Sequence, residues 1–91
     1  MDSYKIEWKQ SAVKELKKLP KEMIAKILFA VQKLSLNPFP PKTTKLVGTH
    51  QSFRIRVGDY RIVYNIFSKT LIIEIVRVKH RRNVYQKQSQ V

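Results

Sequence analysis

The sequence predicts one α+β domain, with two N-terminal helices packed on one face of a mainly antiparallel sheet of about four strands. Three observations predict it. Apolar residues recur at three- and four-residue spacings between Ala12 and Leu34, they recur at two-residue spacings from Phe53 onward, and a proline-rich run separates the two regimes. The chain has 91 residues, enough for a single domain over 1–91. A domain of this size buries roughly 60% of its unfolded surface, a small but workable core. At 43% hydrophobic and 10% aromatic residues it is too apolar to be a disordered basic tail.

Each element has its own signal. Tyr4-Lys5-Ile6-Glu7-Trp8 alternates apolar with polar and reads as a short strand. Ser11 suits a helix N-cap, after which Ala12, Val13, Leu16 and Leu19 form a stripe that should end near Pro20. Pro20 suits the first turn of a second helix, whose Ile24, Ile27, Leu28, Val31 and Leu34 mark one buried face. Asn37-Pro38-Phe39-Pro40-Pro41 cannot continue that helix and is a rigid connection. Then Phe53, Ile55 and Val57 alternate with Arg54 and Arg56. After Gly58-Asp59, Tyr60, Ile62, Tyr64 and Ile66 alternate with Arg61, Val63, Asn65 and Phe67, a β-hairpin signature. A turn around Ser68-Lys69-Thr70 leads to a β-branched strand over Leu71 to Val78. Lys79 to Tyr85 is expected to close the fold as a turn or short helix, and the residues from about 86 onward are expected to fray.

Charge narrows the function. Nineteen Lys+Arg face 6 Asp+Glu, a net +13 that calls for a polyanionic partner. Residues 1–49 carry ten lysines and no arginine; all six arginines lie between Arg54 and Arg82. Lysine is a hydrated point charge suited to a solvated surface, whereas the arginine fork grips phosphate oxygens in pairs, so the C-terminal half is the expected working surface. With no cysteine, there is neither a disulfide framework nor a thiolate site. His50 and His80 form no metal-binding spacing, so no metal and no cofactor are expected. Gly48 and Gly58 are the only glycines, which excludes a glycine-rich phosphate loop. No apolar stretch approaches the length that spans a bilayer, and a cytoplasmic protein without membrane contact is expected.

The hairpin can be read to its register. If Gly58-Asp59 is a two-residue turn, Val57 pairs with Tyr60, Arg56 with Arg61, Ile55 with Ile62, Arg54 with Val63 and Phe53 with Tyr64. One face is then apolar, and the other sets Arg56 directly against Arg61 with Arg54 two residues away. Like charges opposed across strands destabilise by a few tenths of a kcal/mol or more. A bound phosphate would reverse that by serving all three guanidinium groups. Tyr60, Tyr64 and Trp8 fall on the apolar side and are expected in the core rather than stacked on bases.

Three blocks resemble one superfamily: Lys45-Leu46-Val47-Gly48, Phe53-Arg54-Ile55-Arg56-Val57-Gly58-Asp59-Tyr60-Arg61-Ile62-Val63-Tyr64, and His80-Arg81-Arg82-Asn83-Val84-Tyr85. Over about Tyr4 to Tyr85 the chain is similar to RelE/ParE toxins. In the RelE branch the resemblance implies a microbial RNase-like fold. It also implies entry into the ribosomal A site, mRNA cleavage by the ribose 2′-OH without a metal, and a cognate acidic antitoxin that holds the toxin inactive in a hetero-oligomer. The family's basic positions fall on Arg54, Arg56, Arg61 and Arg81, and its terminal aromatic on Tyr85. Two positions that are lysine in well-known RelE toxins are Arg54 and Arg56 here, and the interval from Arg81 to Tyr85 is shorter. Arginine is not deprotonated in proteins, so the proton of the 2′-OH must pass to Tyr85 or His80.

The leading expectation is a toxin that cleaves mRNA on the ribosome, inhibiting translation, with ribosome, mRNA and antitoxin as partners. Two alternatives stand beside it: a ParE-like gyrase inhibitor on the same fold without nuclease activity, and a non-catalytic basic RNA-binding protein.

Overall fold

The structure is a computed structural model that describes residues 3–81. Its elements run β1 (Lys5–Trp8), α1 (Gln10–Lys17), α2 (Lys21–Leu34), β2 (Thr44–Lys45), β3 (Ser52–Val57), β4 (Tyr60–Phe67) and β5 (Ile72–His80). They form one five-stranded sheet in the order β1-β5-β4-β3-β2, with β1 parallel to β5 and every other pair antiparallel. The fifth strand, β2, exceeds the expected four. At two residues it is too short to show a period, and it exists only through pairing of Thr44 with Arg54 and Lys45 with Phe53.

The apolar stripes meet as the periodicities require. Ala12 and Leu16 of α1 and Ile27, Val31 and Leu34 of α2 are buried against Ile55, Ile62, Tyr64, Ile66, Ile73, Ile75 and Val78 of the sheet. Trp8 and Tyr60 are partly buried at its margin. Leu28 departs from its expected place, being 40% exposed. It lies one residue, about 100° around the helix axis, past the Ile27-Val31-Leu34 line that faces the sheet.

Helix starts differ from the sequence reading. Lys9, not Ser11, is the N-cap residue of α1, and its N–H donates to Ile75 O at 2.9 Å as β1 runs straight into the helix. Ser11 instead lies inside the first turn, where its hydroxyl donates to Val76 O at 3.0 Å and fastens α1 to β5. Pro20 is the cap residue of α2 rather than part of its first turn, and its carbonyl accepts from the N–H groups of Met23 and Ile24.

Strand β5 ends at His80 rather than Val78, and Leu71 takes φ 57 in the turn before it. A bulge lies in β5 opposite the Val63/Tyr64 junction: Val63 pairs with Arg77 but Tyr64 with Ile75. Strict alternation from Ile73 and Ile75 would carry Arg77 and Lys79 into the core. The extra residue resets the phase, so Val78 faces the helices and Arg77 and Lys79 the open side. The expected closing segment beyond Arg81, with Tyr85, and the expected frayed end lie outside the described residues. No helix among the described residues is long and apolar enough to cross a membrane.

Candidate functional site

The hairpin register is the one the sequence implied, with Arg56 against Arg61 and Arg54 against Val63. Gly58 makes it possible, taking φ 60 at the first position of the turn, where a side chain would be strained. Arg61 in turn opposes Lys79 on β5. With Arg77, which pairs with Val63, five cations thus stand on adjacent strands of the face away from the helices.

One carboxylate divides them. Strand β1 pairs with β5 only from Ile72 to Ile75, which leaves the later edge of β5 without a strand beside it. Glu15 of α1 fills that gap. Its Oε1 accepts from Val78 N–H at 2.8 Å, and its Oε2 lies 3.0 Å from Arg77 Nη2 and 2.8 Å from Lys79 Nζ. Burial pushes the Glu15 carboxyl upward. The Lys79 hydrogen bond, the Val78 N–H and the charges of Arg77 and Lys79 outweigh that and hold it below its ordinary value.

Arg54, Arg56 and Arg61 have no such acid: no ion pair among the described residues includes them. Arg56 Nε donates to Gly58 O at 3.1 Å, which fixes its stem along the turn. Arg61 Nη1 is buried and has no hydrogen-bond partner among the described residues. A buried donor left unpaired costs about 1–3 kcal/mol, more when charged, and Arg77 Nε is buried without a partner among the described residues in the same way. Arg54, Arg56 and Arg61 line a cavity of about 220 Å³ together with Lys42 and Thr44. That is below the roughly 300–1,000 Å³ of pockets that enclose drug-sized ligands.

Of the six site residues expected from sequence, the structure brings Arg54, Arg56 and Arg61 together. The Arg81 N–H donates to Asp59 O at 2.8 Å, holding that residue's backbone at the hairpin tip beside the row. His80 is placed elsewhere. It pairs with Tyr60 on the helix side of the sheet, and its ring meets that of Tyr60 edge-on at 5.2 Å. Tyr85 lies outside the described residues. Lys42 and Thr44 were not singled out by sequence; only the short pairing of β2 with β3 reveals them, and nothing in the local pattern signals it.

Comparison with known proteins gives the same picture from outside. The model of the family described as the ParE toxin of type II toxin-antitoxin system, parDE, matches residues 6–85. Toxin RelE3 of Methanocaldococcus jannaschii is 33% identical over 85 residues, covering 89% of this chain and 94% of its own length. Toxin RelG of Mycobacterium tuberculosis is 33% identical over 88 residues, covering 92% and 98%. Among solved structures, a chain of the archaeal RelE-RelB complex from Pyrococcus horikoshii superposes with a TM-score of 0.77 at 32% identity, covering 86% of this chain and 94% of that one. A chain of the toxin-antitoxin complex RelBE2 from Mycobacterium tuberculosis does so with a TM-score of 0.76 at 30% identity, covering 88% and 93%.

Proposed function

This chain belongs to the ParE toxin family of type II toxin-antitoxin systems, and on that premise we propose that it is a ribosome-dependent endoribonuclease that cuts mRNA in the A site and so stops translation. The 2′-OH of the RNA attacks the adjacent phosphorus, the bond to the 5′-oxygen breaks, that oxygen takes a proton from solvent water, and the products are a 2′,3′-cyclic phosphate and a 5′-hydroxyl. No metal takes part. Arg54, Arg56, Arg61 and Arg81 bind the scissile phosphate and stabilise the extra negative charge of the phosphorane, which preorganised donors do at little reorganisation cost. Tyr85 takes the proton of the 2′-OH. His80, on the helix side of the sheet, has no part in this scheme.

The observation that carries the reading is the cavity lined by Arg54, Arg56 and Arg61, none of which has an acid partner among the described residues. The test is purified protein mixed with a ribosome programmed with a defined mRNA. Cleavage within the A-site codon is expected, at an unchanged rate when the protein has been stripped with chelator beforehand. Uncut mRNA under conditions where a control RelE cuts would refute the reading. We further propose that an acidic antitoxin covers the cationic surface in a hetero-oligomer, as the RelE-RelB complexes of its relatives suggest. Co-expression should then abolish growth arrest.

The match to the ParE family model favours one competing activity, inhibition of DNA gyrase without nuclease action. A supercoiling assay with purified gyrase separates the two, since only that reading gives inhibition in the absence of ribosomes.

A further inference from the structure

The arginine cavity has a wall that this chemistry leaves unused. Lys42 and Thr44 line it together with Arg54, Arg56 and Arg61. Thr44 pairs with Arg54 and therefore shares the open face of the sheet. Lys42 precedes the strand in a left-handed backbone conformation, φ 72, which L residues with side chains seldom adopt.

The segment carrying Lys42 is fastened on both sides. Before it, Tyr64 Oη reaches out of the core to donate to Pro38 O at 2.8 Å. Phe39 N donates to Asn37 Oδ1 at 3.2 Å, and the Phe39 ring meets Phe53 edge-on at 5.1 Å. After it, the N–H and hydroxyl of Thr43 both donate to Pro40 O. Burial raises the Tyr64 phenol above its ordinary value, so it remains a donor. A connection tied at this many points holds a wall in place.

Thr44 on β2 and Arg61 on β4 are two strand spacings apart, about 10 Å, more than one phosphate group spans. We infer that Lys42 and Thr44 form a second set of RNA-backbone contacts, holding the phosphate-ribose unit next to the one gripped by the arginines. The inference rests on the RNA-cleaving reading above. Because no aromatic ring among the described residues lines the cavity, the Lys42 and Thr44 contacts are made to the backbone and are indifferent to base identity.

The test uses the full chain and a short single-stranded RNA made uncleavable by a 2′-deoxy sugar, with binding measured by fluorescence anisotropy across a salt series. Each phosphate contact contributes about 0.7 to the slope of log K against log salt for single strands. Lys42→Asn removes the charge yet suits the left-handed backbone, so folding is kept. It is expected to lower the slope by about 0.7 and weaken binding severalfold for every RNA sequence tried, with unchanged thermal unfolding; Thr44→Val should weaken binding without changing the slope. Arg61→Ala is the reference for the arginine site and Lys26→Ala, on α2, the reference for diffuse attraction. A lower slope in Arg61→Ala but not in Lys42→Asn overturns the inference and leaves the arginine site standing. An unchanged slope in both overturns the phosphate-site reading as well. An equal loss in Lys26→Ala means that the attraction is diffuse, and also overturns it.

Discussion

Arg77 and Lys79 on β5, and Arg54, Arg56 and Arg61 on the β3-β4 hairpin, are neighbouring cation clusters on one sheet face that differ by a single carboxylate. Glu15 reaches the first cluster from α1, pairs with both of its cations and closes the hydrogen-bonding edge of β5 through Val78 N–H. No acid among the described residues pairs with the second, which keeps Arg56 against Arg61 and leaves Arg61 Nη1 buried and unpaired. Each cluster keeps one buried guanidinium nitrogen without a partner among the described residues, Arg77 Nε in the first and Arg61 Nη1 in the second, so the difference between them is the Glu15 carboxylate alone. The second is left in a self-repelling arrangement with no acid beside it among the described residues, which an external anion would relieve.

The contrast can be broken at several points. Arg61→Ala should reduce A-site cleavage by about 10²–10³, the scale of losing one transition-state donor. Its unfolding free energy should equal or exceed that of the parent by urea titration, and a loss above about 1 kcal/mol would mean that the row is structural after all. Glu15→Ala should behave in the opposite way, losing about 1–3 kcal/mol of stability because Val78 N–H, Arg77 and Lys79 all lose their partner. Cleavage by the folded fraction should remain.

Acidification sharpens the same distinction. The Glu15 carboxyl is held below its ordinary value of 4.5, so its contribution is fully present above that pH and is lost as pH falls through the folded-state value. Thermal unfolding of the parent should therefore fall more steeply below about pH 4.5 than that of Glu15→Gln, and parallel curves would contradict the role given to Glu15. The smallest expected effect is at Arg56. Replacing it by Gln relieves the opposed charge and should raise stability by about 0.3 kcal/mol at low salt, an effect that fades as salt screens it.

Much of this was legible in the chain. The alternation of Phe53 to Ile66 around Gly58-Asp59 fixes both the register and the face, so the Arg56-Arg61 opposition follows from counting alone. What escaped depends on contacts between distant segments. The β2 strand is two residues long and has no period to read, so Lys42 and Thr44 stayed hidden. The β5 bulge shifts the phase by one, and no local residue type announces it. His80 looked like a neighbour of the arginines because it adjoins Arg81 in sequence, but strand alternation turns it to the helix side. Ser11 has the chemistry of a cap, but β1 delivers the chain into α1 two residues earlier, which frees the hydroxyl to hold Val76 O.

The central claim is that the arginine row is kept at a cost in the free protein and repaid when RNA backbone enters. Thermal unfolding with and without uncleavable RNA tests it directly, at about 150 mM salt where the Debye length is about 8 Å and diffuse attraction to the lysine coat is screened. The parent should gain a clear rise in Tm, and Arg61→Ala, equal to it or more stable without RNA, should gain little. An equal rise in both proteins would contradict the claim.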